Sequence, residues 1–216
     1  MTTDRPQLIL ASSSPRRREL LRQAGYRFEV RPPPADERGV AAAASPGAYV
    51  ESLAYLKAMA AIEVHGLTRG LVLGADTVVE LGGRIIGKPA DEADARRILS
   101  ELSGSEHRVL TGLALVDLDG GRRRLAHDVT RVRMRRLTPE EIAAYVAGGE
   151  ALGKAGAYAL QETGDRYVEQ LIGSVTNVVG LPMELLERMI EAIGYDPATP
   201  GRSPATPRRS PEDFHE

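Results

Sequence analysis

The chain has 216 residues, 42% of them hydrophobic but only 4% aromatic, with no Trp, no Cys and a formal net charge of -2. This length and apolar content allow one domain with a second lobe, while the missing cysteines exclude disulfides, thiol nucleophiles and thiolate zinc sites. The near-neutral charge and scarce aromatics argue against a nucleic-acid partner. Met1 to Pro6 carries no apolar signal core, and no apolar run approaches the roughly 18 residues of a membrane span. A cytoplasmic protein without membrane contact is the expectation.

Leu8 to Ala11 is a short apolar run and reads as a strand. Ser14-Pro15 then opens a helix, since Pro at the first helical position lacks only an N–H that would have no partner there. Leu20, Leu21 and Ala24 give it an apolar stripe, and Gly25 stops it. After a polar, Pro-rich connection from Pro32 to Ala44, Ser45-Pro46 repeats the start signal for a helix to about Val64. Leu71 to Leu81 is a strand, Gly82-Gly83 a hairpin turn and Arg84 to Ile86 the return strand. Asp91 caps a helix with Ala95, Ile98, Leu99 and Leu102 on one face. Val109 to Leu118 and Leu125 to Leu137 read as strands around Asp119-Gly120-Gly121, the second with Arg131, Arg133 and Arg135 on a wet face. Thr138-Pro139-Glu140-Glu141 is a capping box. Tyr167 to Ile172 is a further strand, and Pro182 opens the last helix. Residues 1–196 form the expected domain, and 197–216 a Pro-rich tail that reads as disordered. The class is α/β with a mixed sheet.

Ser12, Ser14, Arg16 and Arg17 sit where a strand meets a helix N-terminus, which presents free N–H groups and the positive dipole end to an anion. Three arginines in a first turn oppose that dipole, which prefers acidic residues there. An anion site explains them better than a plain Ser14 cap does. Asp76 is a carboxylate inside an apolar strand, a placement that costs energy unless it is paired, hydrogen-bonded or metal-bound. Catalysis and a strand-end carboxylate bonding backbone amides are both open for it. Lys57 lies within the stripe of Val50, Leu53, Ala54 and Ala61, so it either snorkels outward or reaches an anion. A two-residue turn places Thr77 opposite Lys88, with Asp76 on the other face; joining Asp76 to Lys88 requires a bulge or a strand end. Asp36-Glu37 alone is an ordinary charge pair, but beside Asp76 it would complete a hard-oxygen site for Mg²⁺. His65, His107, His127 and His215 form no zinc-binding spacing, and no Walker loop occurs.

Together these segments resemble the Maf family of nucleotide pyrophosphatases. The matching pieces are Ala11-Ser-Ser-Ser-Pro-Arg-Arg17, Leu53-Ala-Tyr-Leu-Lys57-Ala58, Gly74-Ala-Asp-Thr-Val-Val79, Gly87-Lys-Pro89, Leu102-Ser-Gly104, Lys154-Ala-Gly-Ala-Tyr158 through Gln161, and Val178-Val-Gly-Leu-Pro182. They run in the family's order over about residues 8 to 190. The resemblance implies an elongated, strongly twisted mixed β-sheet flanked by helices, with two lobes around a cleft, as in inosine triphosphatase-like folds. It also implies a homodimer. By position it places Ser12, Ser14, Arg16, Arg17, Glu37, Lys57, Asp76 and Lys88 in the active site. Asp76 matches the proton acceptor, and Glu37 with Asp76 would hold a divalent cation, Mg²⁺ or Mn²⁺. Arg17, Thr77 and Gln161 match the specificity positions of a branch acting on dTTP and UTP. A second branch, acting on 7-methyl-GTP, tends to an acidic residue at the Gln161 position and to Gln at the Thr77 position. Gly153 departs from the family pattern, which carries an acidic residue before Lys154.

The expected function is therefore hydrolysis of a nucleoside triphosphate to the monophosphate and pyrophosphate by metal-assisted water attack on the α-phosphorus. The competing class is a nucleotide-binding regulator of cell division or septum formation without turnover.

Overall fold

A computed structural model describes residues 7–34, 45–160 and 163–195. Glu37, Gln161 and the tail from 197 onward, all named above, lie outside the described residues. The chain runs β1 (Leu8–Ala11), α1 (Pro15–Gln23), β2 (Phe28–Val30), α2 (Pro46–His65), β3 (Leu71–Leu81), β4 (Arg84–Ile86), α3 (Glu92–Leu102), β5 (Glu106–Asp117) and β6 (Arg122–Met134). It continues through α4 (Pro139–Ala147), 3₁₀ turns at Ala155–Ala157 and Thr163–Tyr167, β7 (Val168–Ile172), α5 (Val175–Val179) and α6 (Met183–Ile193).

Among the described residues the strands form one mixed, twisted sheet in the order β2-β1-β3-β5-β6-β7, with β4 also paired to β3. β1 is parallel to β2 and β3; the other pairings are antiparallel. The strand β3 is shared by both ends of the sheet. One of its edges carries β1 as far as the pair Ala11↔Gly74, then β4 from Val79↔Ile86. Ala75 to Val78 have no strand on that edge among the described residues, and this gap is the base of the cleft.

Alternation along β3 sorts the core. Leu71, Leu73 and Ala75 face a cluster built with α1 and α6. Val79 faces a second cluster with Ile98 and Leu99 of α3 and Tyr145 of α4. Val72 and Val78 turn to the opposite face, where α2 lies. This helix approaches the sheet at two glycines. A Cβ at Gly74 would overlap the Ala54 carbonyl oxygen, and one at Gly112 the backbone of Val50. Close approach of the α2 backbone thus sets where Lys57 stands above the sheet.

The Gly82-Gly83 turn has positive φ at both residues, 57° and 85°, the backbone of the tight hairpin expected from the sequence. The register follows too, but pairing stops at Ile86, so Lys88 leaves the sheet before reaching Thr77. β5 and β6 begin earlier than their apolar residues indicate, at Glu106 and Arg122. The outer half of β6 is exposed and carries no alternation to read. The three-residue β2 and the single capped turn of α5 are likewise too short for a period to show. The cap residues Ser14, Ser45, Asp91 and Thr138 all accept a backbone N–H at their helix starts, Thr138 within a full capping box.

Gly112→Ala is expected to lower stability by about 1–3 kcal/mol, because the added methyl meets helix backbone that cannot rotate away. Gly87→Ala, which would meet open space at an ordinary φ, is the matched control. Denaturant midpoints for the two variants check this; equal shifts would remove the close-approach argument.

Candidate active site

The turn from β1 into α1 is ordered by its own hydroxyls. Ser12 Oγ accepts the Ser14 N–H at 3.2 Å, and Ser14 Oγ accepts the Arg17 N–H at 3.5 Å. The three arginines that follow have different fates. Arg17 is buried at 9% exposure, on the α1 face of Leu20 and Leu21. Its Nε donates to the Gly180 carbonyl at 2.8 Å, and Nη1 donates to the Ala75 carbonyl at 2.9 Å and Ser12 Oγ at 3.2 Å. Nη2 donates to Thr77 Oγ1 at 3.1 Å. Arg16 lines the cleft, and its Nε is buried without a hydrogen-bond partner among the described residues.

The hydroxyl chain beyond Arg17 has a fixed direction. Thr111 donates its one proton to the Asn177 carbonyl at 2.9 Å. Thr77 must therefore donate to Thr111 across their 2.9 Å contact, while accepting from Arg17. Thr77 lines the cleft with its proton already committed and can offer a ligand only an acceptor. Asn177 Nδ2 carries the network on to the Val109 carbonyl at 3.0 Å and Thr130 Oγ1 at 2.9 Å.

Across the uncovered edge of β3 lies a cavity of about 1020 Å³. Lys57 does not snorkel out; its Nζ is ion-paired with Asp76 Oδ1, and both side chains are largely buried. The second carboxylate oxygen of Asp76 has no hydrogen-bond partner among the described residues. Ser12, Ser14, Arg16, Lys57, Asp76, Thr77 and Lys88 all line this one cavity, so the structure brings together every described candidate from the sequence. Lys88 reaches it because β4 has ended, the strand-end alternative of the two considered above.

Two contributors were absent from that candidate set. Lys154 lines the cavity from the loop before the first 3₁₀ turn. That loop is tied to the Lys88 loop by the Gly156 N–H, which donates to the Gly87 carbonyl at 3.1 Å. Tyr158 also lines the cavity, with its hydroxyl bonded to His107 Nε2 at 2.8 Å. Burial pushes the His107 imidazole down to about 4, so it is neutral at pH 7. The signal for Lys154 was its place in a matching segment; the His107–Tyr158 contact spans 51 residues and left none.

The donor set suits polyphosphate: hydroxyls and a helix N-terminus on one side, cations from both lobes, and a carboxylate between them. Among the described residues no group of three or more His, Cys, Asp or Glu could hold a metal ion. Asp76 with its open oxygen fits a hard cation that takes its remaining ligands from phosphate and water, as Mg²⁺ commonly does. No helix among the described residues is long and apolar enough to cross a membrane.

Comparison with known proteins finds relatives over most of the chain. The Maf-like protein family profile matches residues 7–193. The chain is 45% identical over 190 residues to a dTTP/UTP pyrophosphatase of Pelotomaculum thermopropionicum, covering 88% of this chain and 98% of that one. It is 50% identical over 182 residues to a dTTP/UTP pyrophosphatase of Gloeobacter violaceus, covering 83% and 92%. In fold it is similar to the Staphylococcus aureus Ham1 protein, with a TM-score of 0.51 at 13% identity over 87% of this chain and 99% of that one. A family match over nearly the whole described chain, together with relatives this similar at this coverage, means that the chain belongs to the Maf family.

Proposed function

We propose that the chain hydrolyses nucleoside triphosphates, dTTP and UTP foremost, to the monophosphate and pyrophosphate. The observation that carries this is the Asp76–Lys57 pair at the uncovered edge of β3, facing a cavity with cations on both sides. The names of the similar proteins, dTTP/UTP pyrophosphatases, support the substrate class.

In this reading the α1 N-terminus, Ser12, Ser14 and Arg16 hold phosphate oxygens from one lobe, and Lys88 and Lys154 from the other. Asp76 takes a proton from a water molecule, whose oxygen bonds to the α-phosphorus. The α–β bridging bond breaks, and pyrophosphate leaves with the electron pair. Lys57 fixes the Asp76 carboxylate through one oxygen; the other keeps one lone pair for the water proton and one for a divalent cation. Asp76, together with Glu37, would hold a divalent cation, which supplies charge neutralisation on the phosphates when bound. The chain acts as a cytoplasmic homodimer; light scattering should give about twice the 23.3 kDa chain mass.

The base preference follows from the committed hydroxyl. Thr77 can only accept, and uracil and thymine each present one N3–H donor, whereas N3 of cytosine is itself an acceptor. Arg17 acts by holding Thr77 and the cleft wall, and Gln161 supplies an amide able both to donate and to accept. A panel of dTTP, UTP, CTP and 7-methyl-GTP should place the first two highest in kcat/KM. 7-Methyl-GTP as the best substrate would move the chain to the other branch. Thr77→Val should narrow the UTP-to-CTP ratio by about tenfold, the usual scale of one lost hydrogen bond to a substrate.

Asp76→Asn should lower kcat by roughly 10²–10⁴-fold while the chain still binds nucleotide. Near-normal kcat would make Asp76 structural, and binding without turnover in the unsubstituted chain would favour the regulator. Arg16→Ala and Lys88→Ala should raise KM for triphosphates more than they weaken monophosphate binding. Equal losses for the two ligands would place both residues away from the β and γ phosphates.

A further inference from the structure

Away from the cleft, β6 outruns its outer neighbour. β5 pairs with it from Arg122 to Arg133, but β7 covers its other edge only from Arg131 to Met134. Arg122 to Val129 therefore have no strand on that edge among the described residues, and all of them are exposed or half-buried. The Met134 N–H donates to the Ser105 carbonyl, on the β5 side, and the β5–β6 register is unbroken. In an antiparallel ladder alternate residues aim their N–H and C=O groups at alternate edges. Arg123, Leu125, His127 and Val129 thus turn theirs to the open edge. The Asp128 carboxylate accepts the Val129 N–H at 2.8 Å, a side chain standing in for the missing strand.

An open edge is a template for another strand unless charge or proline guards it. The three arginines at its start are a weak guard, because each is engaged. Arg122 pairs with Asp117 at 2.8 Å, Arg123 lies over the Tyr55 ring, and Arg124 donates to the Ala192 carbonyl at 3.1 Å through one of its nitrogens. Leu125 and Val129, which share one side of the strand, are 38% and 36% exposed. The chain's own last residues are poorly suited to fill the edge. Pro197, Pro200, Pro204, Pro207 and Pro211 recur at every third or fourth position, and proline has no N–H to give a ladder. The outer half of β6 itself contains no proline.

We infer that two copies of the chain pair through this edge, β6 against β6, antiparallel about a twofold axis at Ala126. This rests on the homodimer proposed above and names its surface. A strand that pairs with its own copy must be complementary to itself. With the axis at Ala126, Arg124 lies opposite the partner's Asp128, and Asp128 opposite the partner's Arg124. The Val129 N–H passes from Asp128 to the carbonyl of the partner's Arg123, which frees the carboxylate for that ion pair. On the other face Leu125 has the partner's Leu125 and the partner's Val129 as diagonal neighbours, giving an apolar seam across the axis. Other registers fail. An axis at residue 124 or 128 sets Arg124 or Asp128 against itself, and one at 125 leaves Arg124 opposite Ala126. An axis at 127 sets Arg123 against Arg131, where β7 already holds the edge.

The test is sedimentation equilibrium of the full chain. The unsubstituted chain should sediment at about twice the 23.3 kDa chain mass. Arg124→Asp and Asp128→Arg each set two pairs of like charges against one another across the axis, and each should weaken the dimer on the order of 100-fold. Mixed together, the two variants oppose Asp to Arg at both pairs and should form a heterodimer, although neither forms a dimer alone. Both side chains lie on the surface away from the cleft, so far-UV circular dichroism should match that of the unsubstituted chain. A monomeric unsubstituted chain, the outcome if the chain's own tail or nothing covers the edge, overturns the inference together with the homodimer. Variants that dimerise as tightly as the unsubstituted chain overturn the inference and place the interface elsewhere. A mixture that stays monomeric overturns the register at Ala126 and with it the inference. Absence of pyrophosphate release from every triphosphate, with masses as expected, overturns the functional reading alone.

Discussion

A guanidinium removed from water must find acceptors for its donors. Arg17 finds them on three separate segments: Ser12 in the β1–α1 turn, Ala75 and Thr77 on β3, and Gly180 at the end of α5. The Ala75 carbonyl lies in the stretch of β3 that neither β1 nor β4 covers. The arginine therefore satisfies backbone that a neighbouring strand would otherwise have paired, and in doing so it keeps the gap open as a cleft. The hydroxyl chain through Thr77 and Thr111 to Asn177 extends the same constraint into α5 and across to β6.

The site's other half depends on how closely a helix can lie on a sheet. Gly74 and Gly112 remove the side chains that would hold α2 away, and Lys57 then reaches Asp76. One strand thus presents a carboxylate on one face and a committed hydroxyl on the other, at adjacent residues. Under the proposed function, period-2 alternation puts phosphate chemistry and base selection on opposite sides of a single strand.

Much of this was legible in the sequence. The length of β3, the two-glycine turn and the helix caps all follow from local rules, and the register they fix left Lys88 two routes to Asp76. β4 ends at Ile86, and Lys88 enters the cavity that Asp76 lines from beyond that strand end. Arg16, Arg17 and Arg18 look equivalent as a run, yet Arg17 stands three and four residues from Leu20 and Leu21, the spacing of one helix face. That phase could have marked Arg17 as buried. Its acceptors could not have been found, since Gly180 lies 163 residues away. The same holds for His107 and Tyr158, whose meeting depends on tertiary packing between β5 and a 3₁₀ turn. β2 and α5 escaped because three or five residues cannot display a period.

The bond from the Gly156 N–H to the Gly87 carbonyl joins two loops that each carry one lysine into the cleft. Two independent loops would each lose their own freedom when a polyanion arrives, and each loss would subtract from affinity. Joined at their bases, the loops of Lys88 and Lys154 would, under the proposed function, meet the polyanion already held together. The tie fixes the two backbones while each four-carbon lysine stem keeps its own reach, so under the proposed function the pair can follow phosphates of more than one spacing.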